Sequence, residues 1–127
     1  MDVGLLVLRV WFAGAMLALH GWMKVSNYSE MQTKFGDPIG LGKEVSLILT
    51  IFAEFICSGL IVLGLFTRAA ALVLAFTMGV AFWVAHGGKL SGPGSGEMAF
   101  LFLGAWIALL VAGPGKFSVD AKIGAKV

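Results

Sequence analysis

Hydrophobic residues along the 127-residue chain fall into four long runs separated by polar, turn-rich segments. The runs predict helices at about 3–23, 45–66, 69–86 and 97–112. A helix needs about 20 apolar residues to cross a bilayer, and the runs are close to that length. Only Thr67 and Arg68 separate the second run from the third, which predicts an antiparallel hairpin. The pattern therefore predicts an all-α fold, a single integral membrane domain of four antiparallel helices.

Composition agrees with a membrane protein and excludes several functions. Hydrophobic residues make up 59% of the chain, charged residues 13%, and the mean hydropathy is +0.96, which does not fit a soluble domain. The net charge of +2 without a basic block argues against nucleic-acid binding. A single cysteine excludes an internal disulfide. No phosphate loop, nucleophile elbow, zinc spacing or dinucleotide fingerprint occurs, so an autonomous enzyme is not expected, and a role as an oxidoreductase subunit stays open.

Two polar segments predict the loops on one side of the membrane. Residues 24–44 are rich in polar and turn-forming types, and residues 87–96 contain five glycines and a proline. Four spans place both termini on the other side. The lysines that follow Gly115 favour the cytoplasm for that side, because positive residues near a span are retained there.

Two charged residues interrupt the apolar runs, Arg9 in the first and Glu54 in the second. A charge at mid-bilayer is unfavourable by about 2.5–3.5 kcal/mol, so such side chains usually face the bundle interior and have partners. Their depths are compatible in antiparallel helices, and we predict a buried Arg9–Glu54 pair. Cys57 and Ser58 follow Glu54 on the same helix face and are secondary candidates. A carboxylate nearby disfavours the reactive thiolate, so Cys57 is expected to act mainly as a small hydrophobe.

Other ionisable residues converge at the long-loop edge of the membrane. Helix direction brings the end of the first helix, the end of the third and the start of the fourth to this edge. The sequence thus predicts a mouth, with Glu54 at its floor, formed by His20, Lys24, His86 and Glu97. This mouth could bind the polar head group of a quinone or a lipid; its residues could equally be interfacial caps. Haem ligation by the two histidines is not expected, because haem-ligating histidines usually lie where the protein can enclose the ring. A metal site built from His20, His86 and Glu97 is not expected either.

The ordered motifs of the chain resemble the DoxX family. The residues that carry the resemblance are His20-Gly21-x-x-Lys24, Glu54, Gly64-Leu65-Phe66-Thr67-Arg68, Thr77-Met78, His86, Glu97 and Gly113-Pro114-Gly115-x-x-Ser118-x-Asp120. The resemblance implies a four-helix protein of the bacterial inner membrane. It also implies a link to membrane oxidoreductases that pass electrons to quinone, because the family takes its name from subunits of such enzymes.

Two functions follow as hypotheses. The first is an accessory or quinone-linked subunit of a membrane oxidoreductase system, with the lipid bilayer and a membrane or peripheral oxidoreductase as partners. The alternative is a non-enzymatic membrane protein that carries or senses a small lipophilic molecule, or supports assembly of a membrane partner. Small residues recur every four positions in the third and fourth helices, which leaves a homo-oligomer open. These residues are Ala71, Ala75, Gly79, Gly104, Ala108 and Ala112.

Overall fold

The computed structural model describes residues 1–127 and contains helices only. The helices are α1 (Asp2–Ser26), α2 (Tyr28–Met31), α3 (Lys43–Leu63), α4 (Thr67–Ala85), α5 (Glu97–Ala112) and α6 (Val119–Ile123). By length and composition, α1, α3 and α4 can cross a membrane. The apolar α5 has 16 residues and is shorter, about 24 Å at 1.5 Å per residue. The predicted all-α membrane bundle is confirmed.

The helix ends differ from the predicted ones where an apolar run and a helix do not coincide. α1 continues past the end of its apolar run to Ser26, whereas α3 stops at Leu63, before the apolar Leu65 and Phe66. These two residues belong to the turn of the hairpin, in which Gly64 and Phe66 have φ angles of 73° and 50°. A left-handed glycine is a common way to end a helix.

Each long helix contains one π-helical segment. The segments are Met16–Gly21 in α1, Phe52–Cys57 in α3 and Val80–Ala85 in α4. Such segments widen the helix locally and occur often at functional sites. The first two segments pack against each other, and a Cβ atom at Gly21 would lie 2.4 Å from the backbone oxygen of Glu54. Glycine at this crossing therefore allows α1 and α3 to approach backbone to backbone.

The helices α1, α3, α4 and α5 all contribute to the core, and α4 and α5 pack against each other along their lengths. Trp106 of α5 and Leu74 of α4 are fully buried there. Of the six small residues that recur every four positions in α4 and α5, Ala71 is buried in the core. The three in α5 are exposed instead: Gly104, Ala108 and Ala112.

The C-terminal segment folds back onto the hairpin between α3 and α4. The Asp120 carboxylate accepts hydrogen bonds from the backbone N–H groups of Phe66, at 2.7 Å, and Thr67, at 2.9 Å. The Asp120 N–H in turn donates to the Gly64 carbonyl at 2.8 Å. Ser118 caps α6, because its hydroxyl accepts from the N–H of Ala121. These bonds explain why two sequence motifs far apart in the chain act as one structural unit.

Candidate functional site

A cavity of about 630 Å³ opens between α1, α3, α4 and the start of α5. Of the 26 residues that line it, 15 are hydrophobic, and all three π-helical segments contribute to its wall. Pockets for small molecules commonly have volumes of about 300–1,000 Å³ and mostly apolar walls with a few convergent polar groups. The cavity has the size and the lining of a site for a lipophilic molecule.

A buried ion pair forms the polar end of the cavity. The Lys24 ammonium donates a hydrogen bond to a Glu54 carboxylate oxygen at 2.5 Å, and both side chains are buried. The helix crossing at Gly21 brings the last turn of α1 beside Glu54, and the continuation of α1 to Ser26 keeps Lys24 within the helix. This is the one ion pair in the structure. Glu54 therefore has the buried partner that its position requires.

The predicted Arg9–Glu54 pair is wrong. Arg9 lies twelve residues before the crossing at Gly21, about 18 Å along the axis of α1, so it is at the opposite end of the bundle. There its guanidinium is almost fully buried and donates only to backbone carbonyl oxygens, those of Ile61, Val62, Pro114 and Phe117. Arg9 thus fastens the C-terminal segment to the end of α3.

His20 and His86 both line the cavity with Lys24 and Glu54. The His20 ring meets the ring of Phe102 edge to face, with 5.7 Å between centroids. The Nδ1 atom of His86 lies 2.9 Å from the Ala81 carbonyl oxygen. Since a carbonyl oxygen only accepts, this Nδ1 carries a proton, and in the neutral ring Nε2 is an acceptor. Three of the four predicted mouth residues thus line one cavity together with Glu54, the predicted floor: His20, Lys24 and His86.

Glu97 does not belong to this group, and its predicted place in the mouth is wrong. It is exposed in the first turn of α5 and is absent from the cavity wall, whereas Ala99 and Phe102 on the other face of α5 line it. The positive end of the helix dipole stabilises a carboxylate at this position. The presence of Glu97 there is thus explained without a bound ligand. His20, His86 and Glu97 accordingly form no set of metal ligands.

The secondary candidates also lie off the cavity wall. Cys57 is a buried free thiol, and Ser58 is buried with no hydrogen-bond partner for its hydroxyl. Both are on the part of α3 beyond Glu54, toward the hairpin. Neither side chain can touch a molecule that occupies the cavity as it stands.

Four hydroxyl-bearing residues of the cavity wall were not predicted as site residues, although Thr77 is among the residues that carry the family resemblance: Ser46, Thr50, Thr77 and Ser95. The Thr50 and Thr77 hydroxyls donate to the carbonyls one turn earlier, at 2.7 and 2.8 Å, and keep their oxygen lone pairs as acceptors. The Ser46 hydroxyl donates to Asp37 at 3.2 Å. A helical period counted from Glu54 would have pointed to Thr50 and Ser46, which lie four and eight residues earlier on the same face.

The long loop also contributes to the cavity, which its polar composition did not suggest. Its apolar side chains line the water-facing end: Phe35, Pro38, Ile39 and Leu41. Tyr28, on α2, donates a hydrogen bond to Glu44 at the start of α3, at 3.3 Å. Desolvation, the Glu44 carboxylate and this hydrogen bond raise the pKa of Tyr28 above its ordinary value. The loop thus places apolar side chains at the mouth of the cavity.

Comparison with known proteins agrees with the resemblance of the motifs. The DoxX family profile matches residues 4–87, a region that includes His20, Lys24, Glu54 and His86. An uncharacterized protein of Haemophilus influenzae (strain Rd) is 30% identical over 112 residues, which cover 84% of this chain and 81% of the relative. No solved structure matches the chain. On the family match and its helical membrane fold, the protein is a member of the DoxX family.

Proposed function

We propose that the protein is an accessory, quinone-linked subunit of a membrane oxidoreductase system, and that its cavity binds the quinone head group. The observation that carries the proposal is the Lys24–Glu54 pair at the end of a largely apolar cavity within a membrane bundle. Buried ionisable groups inside a membrane usually mark a substrate or ion site. Here they face a space large enough for a ring with substituents.

The chemistry of the polar end favours a neutral head group. Lys24 and Glu54 neutralise each other's charge. A charged head group placed beside them would lose its hydration and would find no free counter-ion. The ammonium has donors beyond the one that Glu54 accepts, and the carboxylate has a second oxygen. A quinone carbonyl can accept from Lys24, and a quinol hydroxyl can donate to Glu54. The pair can therefore bind both redox forms of the same molecule.

The cavity wall favours an accessory role over an autonomous redox enzyme. It contains no cysteine, tyrosine or tryptophan, and Cys57 lies off it. We therefore assign the source of electrons to a membrane or peripheral oxidoreductase partner. The same observation supports a second candidate, a carrier or sensor of a lipophilic molecule, in which the chain binds its ligand without electron transfer.

Binding can be tested with Trp106 as the reporter. Trp106 stacks on Phe102 of the cavity wall, with 5.9 Å between ring centroids. Replacing Trp11, Trp22 and Trp83 with Phe leaves it as the one tryptophan, whose fluorescence a bound quinone quenches. We expect decylubiquinone to quench this reporter saturably in lipid nanodiscs.

Two isosteric substitutions provide the matched comparison. Glu54→Gln should weaken binding by roughly 10- to 150-fold, since a hydrogen bond to a charged group contributes about 1.5–3 kcal/mol. Glu97→Gln, which removes a carboxylate from the same membrane edge but not from the cavity, should leave binding unchanged. Quenching that does not saturate, or that Glu54→Gln leaves intact, contradicts the proposal.

Purification in a gentle detergent, followed by mass spectrometry, separates the two candidate functions. Quinone together with an oxidoreductase in the purified material supports the subunit. A bound lipophilic molecule without such a partner supports the carrier or sensor.

We further propose that the protein resides in the bacterial inner membrane with both termini in the cytoplasm. The pairing of Lys24 with Glu54 supports this orientation, because it removes one free positive charge from the long-loop side. Lys34, Lys43 and Lys89 remain there. The terminal side carries Arg68, Lys116, Lys122 and Lys126, and retention of positive residues favours the cytoplasm for that side.

A further inference from the structure

We infer that the ligand enters the cavity sideways from the bilayer, through a gap between the first part of α3 and the last part of α4. The inference rests on the proposed function and adds a route and a ligand class to it. The ligand is an amphiphile with a neutral ring-like head group and a long hydrocarbon tail that stays in the lipid. The lateral gap lies between the segments Lys43–Ile51 and Val80–Ala85, and the cavity-lining Phe52 and Phe76 border it on the side of the hairpin.

The two helices are packed at one end and diverge at the other. Near the hairpin, α4 contacts α3 from Phe52 to Leu63. Beyond Phe52 the segments Lys43–Ile51 and Val80–Ala85 scarcely touch, although side chains of both line the cavity. The cavity wall is therefore incomplete on the side where these two helices face the bilayer.

Large apolar side chains at the lateral gap belong to the cavity and to the outer surface at once. Phe76 lines the cavity and is 64% exposed, and on the opposite edge Leu49 and Phe52 line it while 50% and 47% exposed. In a membrane, the exposed parts of these side chains contact lipid tails. A hydrocarbon chain can thus pass from the bilayer to the cavity along a continuous apolar surface.

The water-facing end is bordered by apolar side chains of the long loop, including Phe35, Ile39 and Leu41. Ile39 and Leu41 are 48% and 47% exposed, so they present an apolar surface to water. On the other side of this end, Gly96 packs so closely that a Cβ atom there would lie 2.8 Å from the Phe82 ring and 3.0 Å from the Cβ of His86. A polar solute from water meets this apolar surface, whereas a lipid-dissolved molecule meets the lateral gap.

The position of the polar groups fixes how such a ligand lies. Lys24 and His20 come from α1, and the lateral gap lies between α3 and α4, so the head group must cross the cavity to reach them. Glu54 comes from α3 itself. The tail then trails past Phe76 into the lipid. This orientation favours a prenyl-tailed or alkyl-tailed quinone over a compact water-soluble one.

The route can be tested by the rate at which decylubiquinone quenches the Trp106 reporter in nanodiscs after rapid mixing. Phe76→Ala removes an exposed ring from the lateral gap and should accelerate quenching. Ala81→Phe narrows the lateral gap. Quenching should then slow by about tenfold, because the ligand must wait for the gap to open before it can enter. Ala108→Phe, on the outward face of α5, is the matched control and should leave the rate unchanged. The two gap variants are thus expected to act in opposite directions.

A further variant tests the other entrance. Ile39→Ser weakens the apolar cover of the water-facing end and should change the rate of quenching less than either gap variant does. Lateral entry is wrong if both gap variants are quenched at the parent's rate and Ile39→Ser is quenched faster. This holds even when the parent binds quinone saturably. A parent that binds no quinone overturns the proposed function instead, so the two failures are distinguishable.

Discussion

The Lys24 ammonium lies 2.5 Å from the carboxylate of Glu54, a residue 30 positions later in the sequence, and both side chains are buried. The contact joins the last turn of α1 to the middle of α3 and forms the polar end of the cavity. The same pair thus has a structural role, which is to hold two helices together, and presents a donor and an acceptor to the proposed ligand. The first prediction concerns the structural role.

Removing one member of the Lys24–Glu54 pair should destabilise the bundle, because the other charge stays buried without a partner. We expect Lys24→Met and Glu54→Leu each to lower the free energy of unfolding by about 3–5 kcal/mol. The double variant Lys24→Met/Glu54→Leu should lose much less than the sum. Unfolding in detergent, analysed as a double-mutant cycle, measures the difference. Additive losses would show that the two side chains do not interact.

The glycine at the crossing of α1 and α3 allows a sharp comparison within one helix. Gly21→Ala places a Cβ atom against the backbone of Glu54 and Phe55, and we expect a loss of about 1–3 kcal/mol from overpacking. Gly14→Ala, on the same helix, meets nothing within 4 Å and should cause no loss. Thermal unfolding of the two variants beside the parent tests the close approach. Equal melting temperatures for both variants would contradict it.

Arg9 should stabilise the C-terminal segment rather than the cavity. Arg9→Leu leaves the carbonyl oxygens of Pro114 and Phe117 without their donor, and we expect a loss on the order of 1–3 kcal/mol. Hydrogen exchange should increase over residues 113–123, and limited proteolysis should cut there first. Arg9→Lys should recover only part of the loss, since an ammonium lacks the planar fork that reaches four carbonyls.

The Arg9 variants also separate the two ends of the bundle. Arg9→Leu combined with Glu54→Leu should give the sum of the two single losses, because distant sites act independently. If the loss in the double variant differs strongly from the sum of the single losses, the result supports the Arg9–Glu54 pair that the sequence predicted. Unchanged protection of residues 113–123 in Arg9→Leu would also contradict the role given to Arg9.

The sequence was sufficient for the long helices and for the four ionisable residues of the cavity wall, but not for the pairing of the charged residues. Apolar runs set the number and order of the helices, and helix direction placed His20, Lys24 and His86 at one edge. The depth of a charged residue in the membrane was by itself a poor guide to its partner. It matched Arg9 to Glu54, whereas the helix crossing at Gly21 decides which side chain of α1 can reach α3.

Two other outcomes depended on backbone geometry that the sequence pattern does not encode. Arg9 finds its acceptors in carbonyl groups freed at the end of α3 and in the C-terminal segment, and every residue type has a carbonyl. The apolar surface at the mouth of the cavity comes from isolated apolar residues in a polar loop. Phe35, Ile39 and Leu41 show no helical or strand period, so composition classed them with the solvated loop.

Thiol labelling tests the proposed orientation in the membrane. In a Cys57→Ser background, cysteines introduced at Gln32 and Ser95 should react with a membrane-impermeant maleimide added to intact cells. A cysteine at Lys126 should react only after the membrane is opened. The reverse pattern would place the termini outside and the long loop in the cytoplasm.

Quinone binding in the cavity can be examined directly by mapping where a photoreactive azidoquinone attaches to the protein in nanodiscs. We expect adducts on cavity residues from α1, α3 and α4, such as His20, Thr50 and Thr77, and their loss when excess unlabelled decylubiquinone competes. Glu54→Gln should reduce these adducts, and Glu97→Gln should not. Adducts that are spread over lipid-facing positions such as Trp11 and Val111, and that competitor does not displace, would contradict the claim that the cavity binds quinone.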